Sequence, residues 1–160
     1  MKNIPLLLFL LPLNIMAQID LTTKNNIEAL EKKYPWYYVD GGSAIILDFT
    51  TTFHGSKSSS YGNEKNGLYL FVFSQGTAFV AENHTLDLDN GSFYVIEVVD
   101  PTGKKTELSG KCIDNYYTIN VYNPEILTDI LSSFNYITIN LKTKSYTMSS
   151  VVPCKYFKRP

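Results

Sequence analysis

The pattern of hydrophobic and polar positions changes twice along the chain. Residues 4–16 are almost continuously apolar, and residues 24–33 carry apolar side chains at helical spacing. From Ser43 onward, short segments rich in β-branched and aromatic residues alternate with polar turns. These three patterns predict an export signal, one amphipathic helix and a mostly β domain, in that order.

Residues 1–17 have the layout of a secretory signal peptide. Lys2 gives a basic start, an apolar run extends from Ile4 to Met16, and the small residue Ala17 precedes Gln18. A transmembrane helix needs about 20 continuous apolar residues, so this run is too short to span a bilayer. We predict cleavage near Ala17, a single domain over residues 18–160, a periplasmic or secreted location and no stable membrane anchor.

Two short helices are predicted in the domain. Apolar residues at helical spacing, followed by Pro35, predict a helix over Lys24–Lys33. The sequence Asn123-Pro124-Glu125 combines a capping side chain, a proline for the first turn and an acidic residue. It therefore predicts the start of a second helix.

Eight strands are predicted from β-branched and aromatic runs bounded by turn residues. They are Ser43–Phe53, Leu68–Phe73, Thr77–Glu82, Ser92–Val99, Lys105–Cys112, Tyr116–Tyr122, Tyr136–Leu141 and Ser145–Val152.

Four short turns predict how these strands pair. Ser74–Gly76, Asp89–Gly91, Asp100–Gly103 and Thr143–Lys144 each lie between two consecutive predicted strands. Connections this short join antiparallel neighbours, since parallel strands need long crossovers. The predicted fold is a mostly β antiparallel meander with two short helices, in which the sheet is either a sandwich or barrel-like.

The charge balance argues against nucleic-acid and anionic-membrane partners. The chain has 14 basic and 15 acidic residues, and removing residues 1–17 takes away Lys2, so the mature domain carries 13 − 15 = −2. Binding to nucleic acid or to an anionic membrane needs clustered positive charge.

Cys112 and Cys154 are the two cysteines of the chain. In an oxidising compartment such a pair predicts a disulfide. The alternatives are two free buried thiols or a catalytic thiol, although neither cysteine has a histidine at a related sequence position.

The sequence does not contain a recognisable catalytic or metal-binding motif. Gly41–Ile45 lacks the last glycine of a nucleophile elbow, His54 and His84 are too far apart for a ligand pair, and Asp87–Gly91 lacks the later glycine and glutamate of a calcium loop. We therefore predict a non-enzymatic protein without a metal or cofactor.

Asp48 and Glu97 each lie inside an apolar strand segment. Strand alternation places Asp48 on the other face of its strand from Leu47 and Phe49, and this face should be solvated. The same reasoning applies to Glu97. A hydrolase that uses either carboxylate is the less favoured alternative.

Two features mark candidate binding residues. Trp36, Tyr37 and Tyr38 form an aromatic cluster that suits a protein interface, a carbohydrate platform or an ordinary sheet face. The polar loop between the first two predicted strands is long enough to be functional or disordered. Its candidate binding residues are His54, Lys57, Tyr61 and Glu64.

Taken with the predicted export, these features favour a binding protein whose partner is another protein. An inhibitor or immunity-type partner of an exported enzyme is one concrete version. The alternative is a carbohydrate-binding module that uses the aromatic cluster around Trp36.

Overall fold

The computed structural model describes residues 23–54, 68–81, 91–113, 118–144 and 146–160. These residues form two helices and one ten-stranded antiparallel sheet. The elements are α1 (residues 23–33), β1 (Tyr37–Val39), β2 (Gly42–Leu47), β3 (Thr50–Phe53), β4 (Leu68–Phe73), β5 (Gly76–Ala81), β6 (Phe93–Val99), β7 (Lys105–Cys112), β8 (Thr118–Val121), α2 (Pro124–Ser133), β9 (Tyr136–Lys142) and β10 (Tyr146–Pro153). The predicted class, mostly antiparallel β with two short helices, is confirmed.

The strand order differs from a simple meander. The order across the sheet is β1-β2-β4-β5-β8-β7-β6-β9-β10-β3. The hairpins β4–β5, β6–β7 and β9–β10 match the predicted turns. The predicted pairing of β5 with β6 is wrong, because β8 folds back and pairs with β5 instead. Strands β5 to β8 therefore form a Greek key, in which the first strand lies beside the fourth.

The sheet curls into a half-barrel. Strands β2 and β3 are separated only by Asp48 and Phe49, yet β2 is second in the sheet and β3 is last. A two-residue link cannot cross a flat sheet of ten strands that are each about 4.8 Å apart. The two ends of the sheet are therefore brought together, which decides between the barrel-like and sandwich alternatives.

The concave face of the sheet holds the hydrophobic core. Alternate residues of β4 are buried, and the same alternation continues through β5, β9 and the interior positions of β6. From α2, Leu127 and Leu131 are added to this core. The largest fully buried side chains include Tyr94, Phe79 and Ile45.

Three local details differ from the sequence predictions. The predicted strand Ser43–Phe53 is broken at Asp48, where the chain turns the corner between β2 and β3. Strand β1 was not predicted, since its three residues are all exposed and do not alternate. Asn123 precedes α2 with φ 52°, and its side chain does not cap the helix.

The structure does not contain the predicted Cys112–Cys154 disulfide, and both cysteine side chains are buried. Cys112 ends β7 next to the start of β6, whereas the amide of Cys154 bonds to the Asn135 carbonyl, before the start of β9. Ser92 and Asn135, which mark these two levels, lie about ten residues of strand apart in the register of β6 with β9, roughly 30 Å. A disulfide needs Cα atoms within about 7 Å.

Within the described ranges, neither helix is long and apolar enough to cross a bilayer.

Candidate functional site

The convex face of the sheet carries a band of exposed apolar side chains, which we call the outer belt. It crosses seven neighbouring strands, from β1 at the sheet edge to β6. Six of the ten large apolar side chains that are exposed in the described residues belong to it. The belt consists of Tyr37, Val39, Phe71, Phe73, Tyr122, Phe93 and Val95.

The register of the strands places these residues in two rows. In the first row each residue is directly opposite the next on the neighbouring strand, and the row reads Tyr37, Ala44, Phe71, Ala78, Asn120, Lys111, Phe93. The second row begins Val39, Gly42, Phe73, Gly76. It resumes at Tyr122, whose amide bonds to Ser109, the residue opposite Val95. Residues directly opposite each other lie on one face of a sheet, so the belt is continuous.

Small residues on both sides leave the β4 rings raised above the sheet. Phe73 is opposite Gly42 on one side and Gly76 on the other, and Phe71 is opposite Ala44 and Ala78. A β-carbon at Gly42 would lie 2.6 Å from a ring carbon of Phe73. The glycine is therefore required for the ring to lie across β2.

The belt is nearly free of charge. Lys111 is the one charged residue in its two rows, and its ammonium lies 5.3 Å from the centre of the Phe93 ring. At that distance the ammonium is attracted to the ring face. An apolar, aromatic surface depleted of charge is typical of the core of a protein interface.

An ion-pair network borders the belt beyond β6. Glu97 is 5% exposed and lies 2.8 Å from Lys142 and 3.4 Å from Lys105. The amide of Asn140 donates a 2.9 Å hydrogen bond to the Glu97 carboxylate, and Ser149 in turn donates to Asn140. Glu97 faces outward, as strand alternation predicted, but the lysine side chains cover it.

The pKa of Glu97 is lowered to about 2, chiefly by the hydrogen bond with Lys142 and to a smaller extent by Asn140 and Lys105, whereas burial acts in the opposite direction. A carboxyl group with this pKa is ionised at neutral pH and has no proton to donate, so Glu97 is unsuited to act as a general acid.

Trp36 is part of the core instead of a surface platform. Its side chain is 7% exposed, and its ring centre lies 4.9 Å from that of Phe157. Its indole Nε1 donates a 2.7 Å hydrogen bond to the carbonyl of Pro153, at the end of β10. Trp36, directly before the edge strand β1, is therefore bonded to β10, the strand next to the opposite edge of the sheet.

Beside Trp36 lies an aromatic cleft of about 330 Å³. Tyr38 and Tyr156 are both about half exposed at its rim, and the Tyr38 hydroxyl donates to the Tyr156 carbonyl. The cleft is lined by Glu31, Tyr34, Pro35, Trp36, Tyr38, Pro153 and Tyr156.

The predicted site residues do not form a single site. Tyr37 belongs to the outer belt, Tyr38 to the aromatic cleft, and His54 lies beside the start of β10, where its ring bonds to Lys144 and Thr147. The eight residues of β10 separate His54 from the cleft, a distance of roughly 25 Å. Lys57, Tyr61 and Glu64 lie outside the described residues.

Asp48 lines a second, more polar hollow of about 480 Å³ beside β3 and β10. Its carboxylate accepts a long, 3.4 Å hydrogen bond from the Tyr34 hydroxyl. Thr50, Ser149 and Leu30 also line the hollow. In the described parts of the chain, three or more metal-ligating side chains do not come together anywhere.

Sequence reasoning missed most of the outer belt, although β4 carried a usable signal. In Leu68–Phe73 both alternating sets are apolar, with Leu68, Leu70 and Val72 on one face and Tyr69, Phe71 and Phe73 on the other. A half-buried strand normally places polar residues on its second face. A strand that is apolar on both faces, in a sheet that is covered on one side only, indicates an exposed apolar surface.

Comparison with models of protein families gave no match, and neither did comparison with curated proteins or with solved structures.

Proposed function

We propose that this chain is a non-enzymatic binding protein that holds another protein against its outer belt. The observation that carries this proposal is the row of cross-strand neighbours from Tyr37 to Phe93, in which exposed Tyr37 and Phe93 and half-buried Phe71 are separated by two alanines, one asparagine and one lysine. Exposed apolar patches rimmed by polar residues mark interaction sites on soluble proteins.

The size and rim of the belt suit a protein partner. Seven strands include six inter-strand spacings of about 4.8 Å, so the belt extends about 29 Å around the convex face. An interface of ordinary size buries about 800 Å² on each partner, so a roughly circular one is about 32 Å across. The length of the belt is close to that diameter. The Lys142 and Glu97 network supplies a polar, charged border at the β6 side.

Ring orientation favours a protein over a sugar. The Phe71 and Phe73 rings are within 6° of parallel with centres 5.8 Å apart, so each turns a face toward the other. Sugars bind to open ring faces, whereas protein interfaces also accept ring edges. Trp36, on which the carbohydrate alternative depends, keeps its ring buried against Phe157.

We further propose that the protein acts after export. The predicted signal peptide, residues 1–17, would direct the domain to the periplasm or the exterior. An inhibitor or immunity-type partner of an exported protein remains the concrete version of this proposal.

Affinity capture with matched variants tests the proposed function. Purified residues 18–160 are immobilised as wild type, as Phe73→Ser, and as the control Val151→Ser, whose side chain is exposed on β10, outside the belt strands. Extract from the native source is passed over each. We expect the wild type and the control to retain the same protein in stoichiometric amount and Phe73→Ser to lose it. Retention by all three, or by none, would contradict the proposal.

A further inference from the structure

The C-terminal residues form a strap that lies across the sheet end near Trp36. The strap comprises Lys155–Pro160, directly after β10. Its carbonyl groups accept hydrogen bonds from side chains of the first two strands: Tyr156 accepts from Tyr38, and Lys158 accepts from Ser43 at 2.7 Å. The Trp36 indole donates the same type of hydrogen bond to the carbonyl of Pro153, three residues before Tyr156.

These donors form a surface that recognises an extended backbone. The Tyr38 phenol and the Ser43 hydroxyl donate to the strap carbonyls of residues 156 and 158, whereas the Trp36 indole beside them donates to Pro153, which belongs to β10 and stays in place when the strap opens. Grooves that bind extended or proline-rich peptides combine aromatic walls with such side-chain donors. The donors read the backbone, so they do not require the particular chain that now occupies them.

Three contacts of the strap with this surface depend on its side chains, and one of them places the Lys158 ammonium 4.4 Å from the centre of the Tyr38 ring. The Phe157 ring packs on Trp36 with centres 4.9 Å apart. At the far end, the Arg159 guanidinium lies 2.7 Å from the Asp129 carboxylate on α2. The groove therefore selects an aromatic residue and, two positions later, a basic one.

The strap is weakly attached compared with the strands. Among the described residues, the backbone bond that a strap amide donates is the local turn from Phe157 to Cys154, and none pairs with a strand. Lys155, Tyr156, Lys158 and Arg159 are exposed. Segments held by few buried contacts and no backbone ladder open at low free-energy cost.

Open space lies beside both ends of the strap. The aromatic cleft of about 330 Å³ adjoins Tyr156. A different hollow from the one beside Asp48, of about 300 Å³, adjoins Arg159 and Pro160. A peptide longer than the strap could extend into either one.

We propose that the surface under the strap, formed by Trp36, Tyr38, Ser43 and Asp129, is a peptide-binding groove. Its occupant in trans is an extended segment of another protein with the chemistry of the strap, an aromatic residue followed two positions later by a basic one. The strap fills the groove in the free protein and competes with that segment. This proposal does not require the function proposed for the outer belt, although Phe73 and Gly76 of the belt rows also line the hollow beside Arg159.

Competition between the strap and the peptide determines how much the apparent Kd should change. If the groove is open for a fraction of the time, the apparent Kd of a peptide is its intrinsic Kd divided by that fraction. A tethered segment also competes at an effective concentration on the order of millimolar. Weakening the strap must therefore strengthen binding in trans.

The fluorescence of Trp36, the single tryptophan of the chain, reports directly on the groove. The probe is a synthetic peptide of residues 153–160 carrying Cys154→Ser, titrated into wild-type protein and into full-length Phe157→Ala, which weakens the strap and leaves the groove intact. We expect a saturable emission change in Phe157→Ala. In the wild type the peptide replaces a strap that already places Phe157 on Trp36, so binding there is followed by the anisotropy of a dye attached to the peptide, and its Kd should be at least tenfold higher than for Phe157→Ala. The same peptide carrying Phe157→Ala should bind at least tenfold more weakly.

Two further variants keep the test decisive. A chain that ends at Lys155 should bind the peptide at least as tightly as Phe157→Ala, and adding Asp129→Asn to Phe157→Ala should weaken binding. Far-ultraviolet circular dichroism verifies folding, and if the shortened chain does not fold, the two full-length variants decide. Equal affinity of wild type and Phe157→Ala, or no emission change in Phe157→Ala, would overturn the proposal.

Discussion

Phe71 and Phe73 lie two residues apart on β4, with ring centres 5.8 Å apart and ring planes within 6° of parallel. Both project from the convex face, away from the core that Leu70 and Val72 fill from the other side. In β4 one apolar face stabilises the fold, and the other forms part of the surface to which we propose that a partner binds. Several measurable consequences depend on this division.

Replacing Phe93 separates binding from stability. The side chain is 65% exposed at the β6 end of the belt, so Phe93→Ser should change the free energy of unfolding by no more than about 0.5 kcal/mol. An aromatic residue in an interface core often contributes more than about 1 kcal/mol, so partner affinity should fall at least about fivefold. Urea unfolding and a binding titration measure the two effects. A large loss of stability with unchanged binding would place Phe93 in the fold instead of the interface.

Gly42→Ala should destabilise the domain by about 1–3 kcal/mol. The added methyl group would lie 2.6 Å from the Phe73 ring and also against the Val72 carbonyl, which belongs to a paired strand and cannot move away. Thermal or urea unfolding gives the value. Unchanged stability would mean that β2 and β4 are not in the register described.

Glu97→Gln should lower the free energy of unfolding at pH 7 by about 2 kcal/mol, because charge-assisted hydrogen bonds to Lys142 and Lys105 are lost. Glu107→Gln is the matched control, since Glu107 is exposed and directly opposite Glu97 on β7. Removing a like charge there should leave stability unchanged or slightly higher.

The pH dependence of that difference follows from the pKa of Glu97. Its pKa in the folded protein is about 2, against an ordinary value of 4.5, so the unfolded state binds the proton first as the pH falls. The stabilisation is complete above about pH 5 and is lost between there and pH 2. Wild type and Glu97→Gln should therefore converge in stability on acidification. A difference that stays constant down to pH 2 would show that Glu97 is not ion-paired.

Thiol chemistry tests the placement of the two cysteines. Burial raises the pKa of Cys154 to about 12, and Cys112 is fully buried, so neither thiol should react with an aromatic disulfide reagent in the folded protein. After unfolding in denaturant without reductant, two thiols should be titrated for each chain. A protein purified from an oxidising compartment with no titratable thiol would contradict the register that separates these residues.

Local sequence signals predicted the elements better than their arrangement. The helix start at Pro124 and the turns at Asp100–Gly103 and Thr143–Lys144 depend on residues close in sequence, and these predictions were confirmed. The pairing of β8 with β5 depends instead on contacts between residues about forty positions apart, such as Phe79 and Ile119. No turn sequence encodes such a pairing.

The candidate site also could be predicted only where the signal lay in neighbouring residues of the sequence. Tyr37 was identified by its aromatic neighbours, but the belt exists only once seven strands are in register, and no segment of the sequence contains more than a few of its residues. The sequence pattern makes Trp36 a candidate binding residue, with an ordinary sheet face as the alternative, because indole rings are common in binding sites. The structure buries it, since Pro153 and Phe157 come from the opposite end of the chain.

Site-specific photo-cross-linking in the native source tests the binding role of the outer belt most directly. A photoreactive phenylalanine analogue is placed at Phe73, at Phe93, or at Val151, an exposed position on β10 outside the belt. We predict the same cross-linked partner protein from positions 73 and 93 and none from position 151. No adduct at either belt position, or an equal yield at position 151, would contradict the proposed interface.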